Sequence, residues 1–197
     1  GLTHCKFELI ARMDSDDISL PDRFEKQVAF MNDNLEIVAS SAALEEFDQN
    51  LVLSKGRRVL PVNYEDIIRF AKRRSPLNHI PSIFRKSIVE SVGGYPPLRN
   101  AQDYALWSLL IIKGYKLANL PDTLAHIRAG DEMLDRRGWP YFKQELRLLK
   151  FQNQIGFLST FDFYTNVALR AIIRAQPQFI KNRLYRVARR SQQIHPK

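Results

Sequence analysis

The chain has 197 residues, 45% of them hydrophobic, and a formal net charge of +9. That length fits one domain, or one domain with an appendage. A single cysteine, Cys5, excludes an internal disulfide framework and fits a reducing compartment. The longest mostly apolar run, Tyr104 to Ile112, is far short of the roughly 20 residues needed to cross a bilayer.

The charge is uneven. Residues 1–135 hold 17 Lys/Arg and 19 Asp/Glu, whereas residues 136–197 hold 13 and 2. The expected division is therefore a slightly acidic globular part over 1–135 and a basic helical tail over 136–197. Any acidic partner is expected at the tail. The chain starts at Gly1, a few residues ahead of the first predicted strand, and is expected to be a fragment with part of its domain upstream.

Taken in order, Phe7 to Met13 reads as a buried strand. Asp14-Ser15-Asp16-Asp17 follows at its C-terminal end, where open α/β sheets place ligands. Three carboxylates within four residues repel one another unless a cation neutralises them. Hard divalent cations take oxygen ligands, and Mg²⁺ is commonly held by one or two carboxylates plus substrate phosphates. A solvated acidic turn that caps the next helix is the alternative.

Ser19-Leu20-Pro21-Asp22 reads as a helix start with Ser19 as the cap. Leu20, Phe24, Gln27/Val28 and Met31 then recur at helical spacing up to about Asn34. Glu36 to Leu44 reads as a second strand whose small residues imply close packing. Glu45 to Arg58 is expected to be a hairpin or loop.

Asn63 is placed to cap a short helix carrying Ile67, Ile68 and Ala71. Ile80 to Phe84 reads as a strand, and Ser87 to Val92 as one or two helical turns closed by Gly93-Gly94, where positive φ is needed. Ala101 to Lys113 is the strongest predicted helix, stopped by Gly114, with Tyr104 and Trp107 expected in the core. Tyr115 to Leu120 and Thr123 to Arg128 read as two strands. Helices are expected over about 140–155, 161–176 and 178–190, with Pro177 separating the last two. Mixed α/β elements followed by basic helices give a two-part architecture.

Four segments together resemble one family: Ile10 to Gln27 (IARMDSDDISLPDRFEKQ), Asn78-His79, Val92-Gly93-Gly94-Tyr95, and Gln102 to Trp107 (QDYALW). They look like the family-2, GT-A-fold glycosyltransferases of bacterial polysaccharide synthesis. The likeness runs from about Leu2 to about Gly138 and is carried mainly by the D-x-D followed by I-S-x-P-D-R. It implies an α/β, Rossmann-like nucleotide-diphospho-sugar transferase fold, here without its first βαβ portion. It also implies inverting transfer of a sugar from a nucleotide donor, with Mn²⁺ or Mg²⁺.

Residue by residue, the resemblance assigns Asp14 and Asp16 to the D-x-D that holds the metal and the donor. Asp16 is the direct metal ligand and Asp17 a support for the loop. Asp103 becomes the base that deprotonates the acceptor hydroxyl, placed where the positive end of a helix dipole acts on it. His126 is similar in placement to a histidine that completes the metal site in some relatives, against a structural role at a strand end. His79, Tyr95 and Gln102 fall on the acceptor side, against turn anchoring for His79. The family's E-D pair reads Gln102-Asp103 here, so the base keeps its position and its neighbour has no charge. Arg136 and Arg137 are candidate diphosphate contacts, or simply the solvated start of the tail.

The implied partners are a nucleotide-sugar donor and a glycan or lipid-linked acceptor. The third is an anionic membrane surface, met by the tail through Phe179, Ile180, Leu184 and Val187 opposite Lys181, Arg183, Arg186, Arg189 and Arg190. The implied location is the inner face of the cytoplasmic membrane, as a peripheral protein. Two other readings stay open on the residues alone. One is a nucleic-acid-binding module built on the basic tail, and the other an inactive transferase remnant.

Overall fold

A computed structural model describes residues 1–129 and 139–175. Strands β1 (Leu9–Ala11), β2 (Ile18–Ser19), β3 (Ile37–Phe47), β4 (Ser54–Arg58), β5 (Ile83–Arg85) and β6 (Lys116–Arg128) form one sheet. Its order is β1-β5-β3-β6-β2, with β4 also pairing with β3. Only β3 and β6 run parallel; the other pairs are antiparallel.

β3 is central, and eight successive residues from Ile37 to Leu44 are buried. A strand covered on both faces reads as a continuous apolar or small run rather than an alternating one. Ala39, Ser40, Ser41, Ala42 and Ala43 meet that need and let neighbouring layers approach closely.

Helices α1 (Arg23–Asp33), α2 (Tyr64–Ala71), α3 (Lys86–Ser91) and α4 (Gln102–Ile112) cover the sheet. α4 is apolar on nearly every side and is correspondingly buried, including Leu106, Trp107 and Leu110. Trp107 packs with Val38, Phe84, Val89 and Leu117 in the main core. Tyr104 is buried too, and its hydroxyl donates to the Ala71 carbonyl at 2.6 Å. Gly93 (φ 92°) and Gly94 (φ 75°) close α3 in the left-handed region, as their sequence position implies.

Helices α5 (Trp139–Gln154) and α6 (Thr160–Ala175) lie against α2 and α4. Leu149, Phe157 and Leu158 pack on Ala71. Gln152 Nε2 donates to Ser108 Oγ at 2.8 Å, and Asn166 Nδ2 to the Lys72 carbonyl at 3.1 Å. The expected helix over 178–190 and the Arg136-Arg137 pair lie outside the described residues.

Four expectations are corrected. The first strand spans only Leu9–Ala11, and Phe7 is exposed, because β1 is a sheet edge and not an interior strand. Ser19 does not cap α1. It sits in β2, paired with Ala125, and Asp22 occupies the cap position. The strand expected from Ile80 begins at Ile83, because Asn78 to Ser82 forms a bonded turn. The two strands expected after Tyr115 are one, β6. It absorbs Pro121 and Asp122 as an irregularity where Ala42 faces Leu120 and Ala43 faces Thr123. A Pro is tolerated where the ladder is already interrupted.

Candidate active site

The expected stripe of α1 is corrected in part: Gln27 and Met31 are fully buried as expected, but Phe24 and Val28 are exposed and Arg23 is buried in their stead. Arg23 explains the shift. Its Nη2 donates to the carbonyl of Arg12 at 2.7 Å, and reaches those of Ile80 and Ser82 at 3.3 and 3.4 Å. Its Nε donates to Gln27 Oε1 at 2.9 Å, and Gln27 Nε2 donates onward to the Pro81 carbonyl at 2.6 Å. The guanidinium faces carbonyls, so burial and the nearby Arg12 lower its pKa to about 10.

These bonds tie the segment before the carboxylates to the turn that carries His79. That turn is also stitched to β3: Ser41 Oγ donates to the Asn78 carbonyl at 2.7 Å, and Asn78 Nδ2 to the Ala42 carbonyl at 2.9 Å. Ser82 Oγ closes the turn on the His79 carbonyl at 2.7 Å.

The acidic loop leaves β1 at the level of Ser40 and rejoins the sheet in β2 at the level of Glu45. It therefore passes the C-terminal half of β3, from one sheet edge to the other. Asp14, Asp16 and Asp17 each offer an oxygen, and these atoms lie within 4.8 Å of one another. Arg12 pairs with Asp14. Asp17 Oδ1 accepts the Arg128 backbone N–H at 2.9 Å, which fixes the loop to the end of β6. Burial raises the pKa of Asp17 from its ordinary value, and the neighbouring Asp16 and Asp14 add to this against the Arg128 N–H and Arg12. A set of three oxygen donors with this mutual repulsion fits a hard divalent cation.

Across from the loop, His79 Nε2 lies 3.4 Å from the Tyr95 hydroxyl. Burial lowers the pKa of His79. Asp103 and Asp14 oppose that shift, and Arg12 reinforces it. The Tyr95 hydroxyl is pushed up to about 12 by burial and by Asp103. One electrostatic neighbourhood thus contains Asp14, Arg12, His79, Tyr95 and Asp103. Gln102 and Asp103 open α4, half-buried in its first turn. Tyr95 also lines an open cleft with Leu2, Glu90, Gly93 and Gly94.

His126 lies on β6 beside the point where the acidic loop enters β2. It faces Ile18 in β2, its Nε2 is 3.8 Å from Glu45 Oε2, and its ring packs on Phe47 at 4.7 Å. Among the described residues the three-carboxylate group does not include it. Sequence reasoning gave no role to Arg12 or Arg23, and named Gln27 only as part of the α1 stripe. The four-residue spacing of Arg23 and Gln27, on one helix face with Met31, was the available signal.

No family model matches the chain. The amylovoran biosynthesis glycosyltransferase AmsE of Erwinia amylovora is 40% identical over 190 residues, covering 94% of this chain and 69% of that protein. The UDP-Gal:alpha-D-GlcNAc-diphosphoundecaprenol beta-1,3-galactosyltransferase of Escherichia coli is 32% identical, with coverages of 94% and 68%. Among solved structures, the mannosyltransferase PcManGT from Pyrobaculum calidifontis in complex with GDP-Man and Mn²⁺ aligns with a TM-score of 0.52 at 14% identity. It covers 95% of this chain and 57% of that one. S. aureus TarS 1-349 aligns with a TM-score of 0.51 over 76% of this chain and 42% of that one. At this identity the two structures speak to the fold, which is the mixed α/β sheet of GT-A-like enzymes. The chain therefore belongs to the bacterial glycosyltransferase family of these relatives.

Proposed function

We propose that the protein transfers a sugar, with inversion, from a nucleotide-sugar donor to a glycan acceptor carried on a polyprenyl diphosphate, in the synthesis of a bacterial surface polysaccharide. The observation that carries this reading is the convergence of the Asp14, Asp16 and Asp17 carboxylates beside the neighbourhood shared by His79, Tyr95 and Asp103. The E. coli relative supports a UDP-sugar and a lipid-diphosphate acceptor, both named in its description. The structural neighbour bound to Mn²⁺ supports a divalent cation at the carboxylates.

In this reading residues 1–135 form the catalytic part, and Asp14 and Asp16 hold the cation and the donor diphosphate. A cation bound there supplies neutralisation of the diphosphate charge. Asp17, tied to the Arg128 N–H, keeps the loop in place. Asp103 accepts the acceptor hydroxyl proton as that oxygen attacks the anomeric carbon and the nucleoside diphosphate departs. A single displacement inverts the centre and uses one carboxylate base, unlike the paired carboxylates of glycosidases. His79, Tyr95 and Gln102 shape the acceptor side. His126 contributes through the β6 end that holds the loop.

Among the described residues no helix is long and apolar enough to cross a membrane. We assign the basic region 136–197 to peripheral contact with the cytoplasmic leaflet, where such an acceptor is presented.

Calorimetric titration with UDP- and GDP-sugars, with and without Mn²⁺, tests the donor half of the reading. Binding of at least one nucleotide sugar should need the metal, and Asp16→Ala should weaken it by at least about 10-fold. Metal-independent binding that Asp16→Ala leaves unchanged contradicts the assignment.

A further inference from the structure

Helix α6 is apolar on its outward face as well as on its inward one, where Phe163 and Val167 pack on the core. Its charged residues are Asp162, Arg170 and Arg174, and all three are used inward or locally. Asp162 accepts the N–H and hydroxyl of Ser159 at the helix start. Arg174 makes two bonds to Glu145, at 3.0 and 2.9 Å, and Arg170 lies 3.5 Å from the same carboxylate. Arg170 also donates to the Arg73 carbonyl at 3.3 Å. The outward face carries Phe161 (77% exposed), Tyr164 (65%) and Ile172 (59%), together with Leu169 and Ile173. These positions follow helical spacing and form one stripe with Thr165 and Ala168. A surface helix ordinarily shows charge to water and apolar groups to the core. A contiguous apolar stripe of this kind marks an interaction surface.

The neighbouring charge indicates what covers it. Arg73 and Arg74, both exposed, close the end of α2 beside α6. The 22 residues that continue from α6, 176–197, hold six Lys/Arg and no Asp/Glu. A second copy docked on the stripe would bring two such basic segments together, which like-charge repulsion opposes. An anionic lipid surface accepts both features at once: its acyl boundary takes the stripe, and its headgroups take the cations. We propose that the outward face of α6 is a docking surface for anionic lipid, with Phe161, Tyr164, Leu169, Ile172 and Ile173 entering the headgroup boundary. This rests on the transferase reading only in choosing a membrane as the site of work.

Sedimentation of the full chain with vesicles of 30% phosphatidylglycerol in phosphatidylcholine tests it. The unaltered protein should co-sediment, less so in pure phosphatidylcholine and less so at high salt. The double variant Leu169→Asp, Ile172→Asp should lower the vesicle partition coefficient by at least about 10-fold, since each apolar side chain withdrawn from a buried site is worth roughly a factor of ten. Its melting temperature and circular dichroism should match those of the unaltered protein, because both side chains point away from the core. Three results overturn the proposal. They are equal vesicle binding by the variant, no binding by the unaltered protein, or an equilibrium-sedimentation dimer that the variant dissolves while vesicle binding persists. A fall in melting temperature without vesicle binding by the parent assigns the stripe to the chain's own tail, which also overturns it. Failure of sugar transfer with vesicle binding intact bears on the enzymatic reading and leaves this one standing.

Discussion

Replacing Arg23 with Met removes a guanidinium from a site with no solvent access while keeping an unbranched side chain of similar reach. Ser82 O keeps its bond from the Arg12 N–H. The Arg12 carbonyl, the Ile80 carbonyl and Gln27 Oε1 each lose the donor that Arg23 gave them. A buried acceptor left unpaired costs about 1–3 kcal/mol. Three of them cost roughly 3–9 kcal/mol, and relief of the guanidinium's own burial penalty brings the net to about 3–5 kcal/mol. In a chain of this size each kcal/mol moves the melting temperature by about 2–4 °C, so the loss is on the order of 10 °C. Arg23→Lys keeps the charge and one bond, and should fall about midway. Leu35→Ser, at an exposed position outside these contacts, serves as the control and should change stability by less than about 0.5 kcal/mol. Differential scanning calorimetry reads all three variants. The same loop carries the carboxylates, so at a temperature where Arg23→Met is still folded, the metal requirement for donor binding should weaken while Arg23→Lys retains most of it. A melting temperature for Arg23→Met within about 2 °C of the parent would refute the view that Arg23 braces this loop.

Further outcomes follow from the same contacts. Tyr104→Phe leaves the Ala71 carbonyl without its buried donor and should cost about 1–2 kcal/mol, read as a lower midpoint in urea with an unchanged slope. His79 is held neutral by burial, so its folded pKa lies below its unfolded value of about 6.5. Below that pH the unfolded chain binds the extra proton and stability falls as pH falls, whereas above it His79 is neutral in both states and contributes nothing. His79→Gln should therefore flatten the decline in melting temperature between about pH 6.5 and pH 5, and an unchanged slope would remove His79 as its source.

What the sequence made legible and what it hid have physical causes. β3 and α4 were readable because a doubly covered strand and a buried helix leave unbroken runs of small or apolar residues. The glycine pair after α3 was readable because positive φ leaves few other choices. The carboxylates were readable because Asp14, Asp16 and Asp17 are adjacent in the chain. The role of α1 was hidden because hydrophobic periodicity puts Phe24 and Val28 on the buried stripe beside Gln27 and Met31 and passes over a buried Arg23. That face answers to the carbonyls of Arg12, Ile80, Pro81 and Ser82, which only the fold brings together. Ser19 was misplaced for a similar reason: its pairing partner, Ala125, is over a hundred residues away. His126 was assigned to the metal site by the family resemblance and not by any local pattern; in the sheet it pairs with Ile18, next to Asp17, and its Nε2 lies 3.8 Å from Glu45 Oε2.

The most direct test of the account is a transfer assay with a labelled nucleotide-sugar panel and a polyprenyl-diphosphate-linked sugar acceptor, run with Mn²⁺ on the parent and on Asp103→Asn. The account predicts transfer by the parent, an inverted anomeric configuration in the product, and a fall of at least about 10²-fold for Asp103→Asn with donor binding intact. Full activity in Asp103→Asn, or a product of retained configuration, would contradict it.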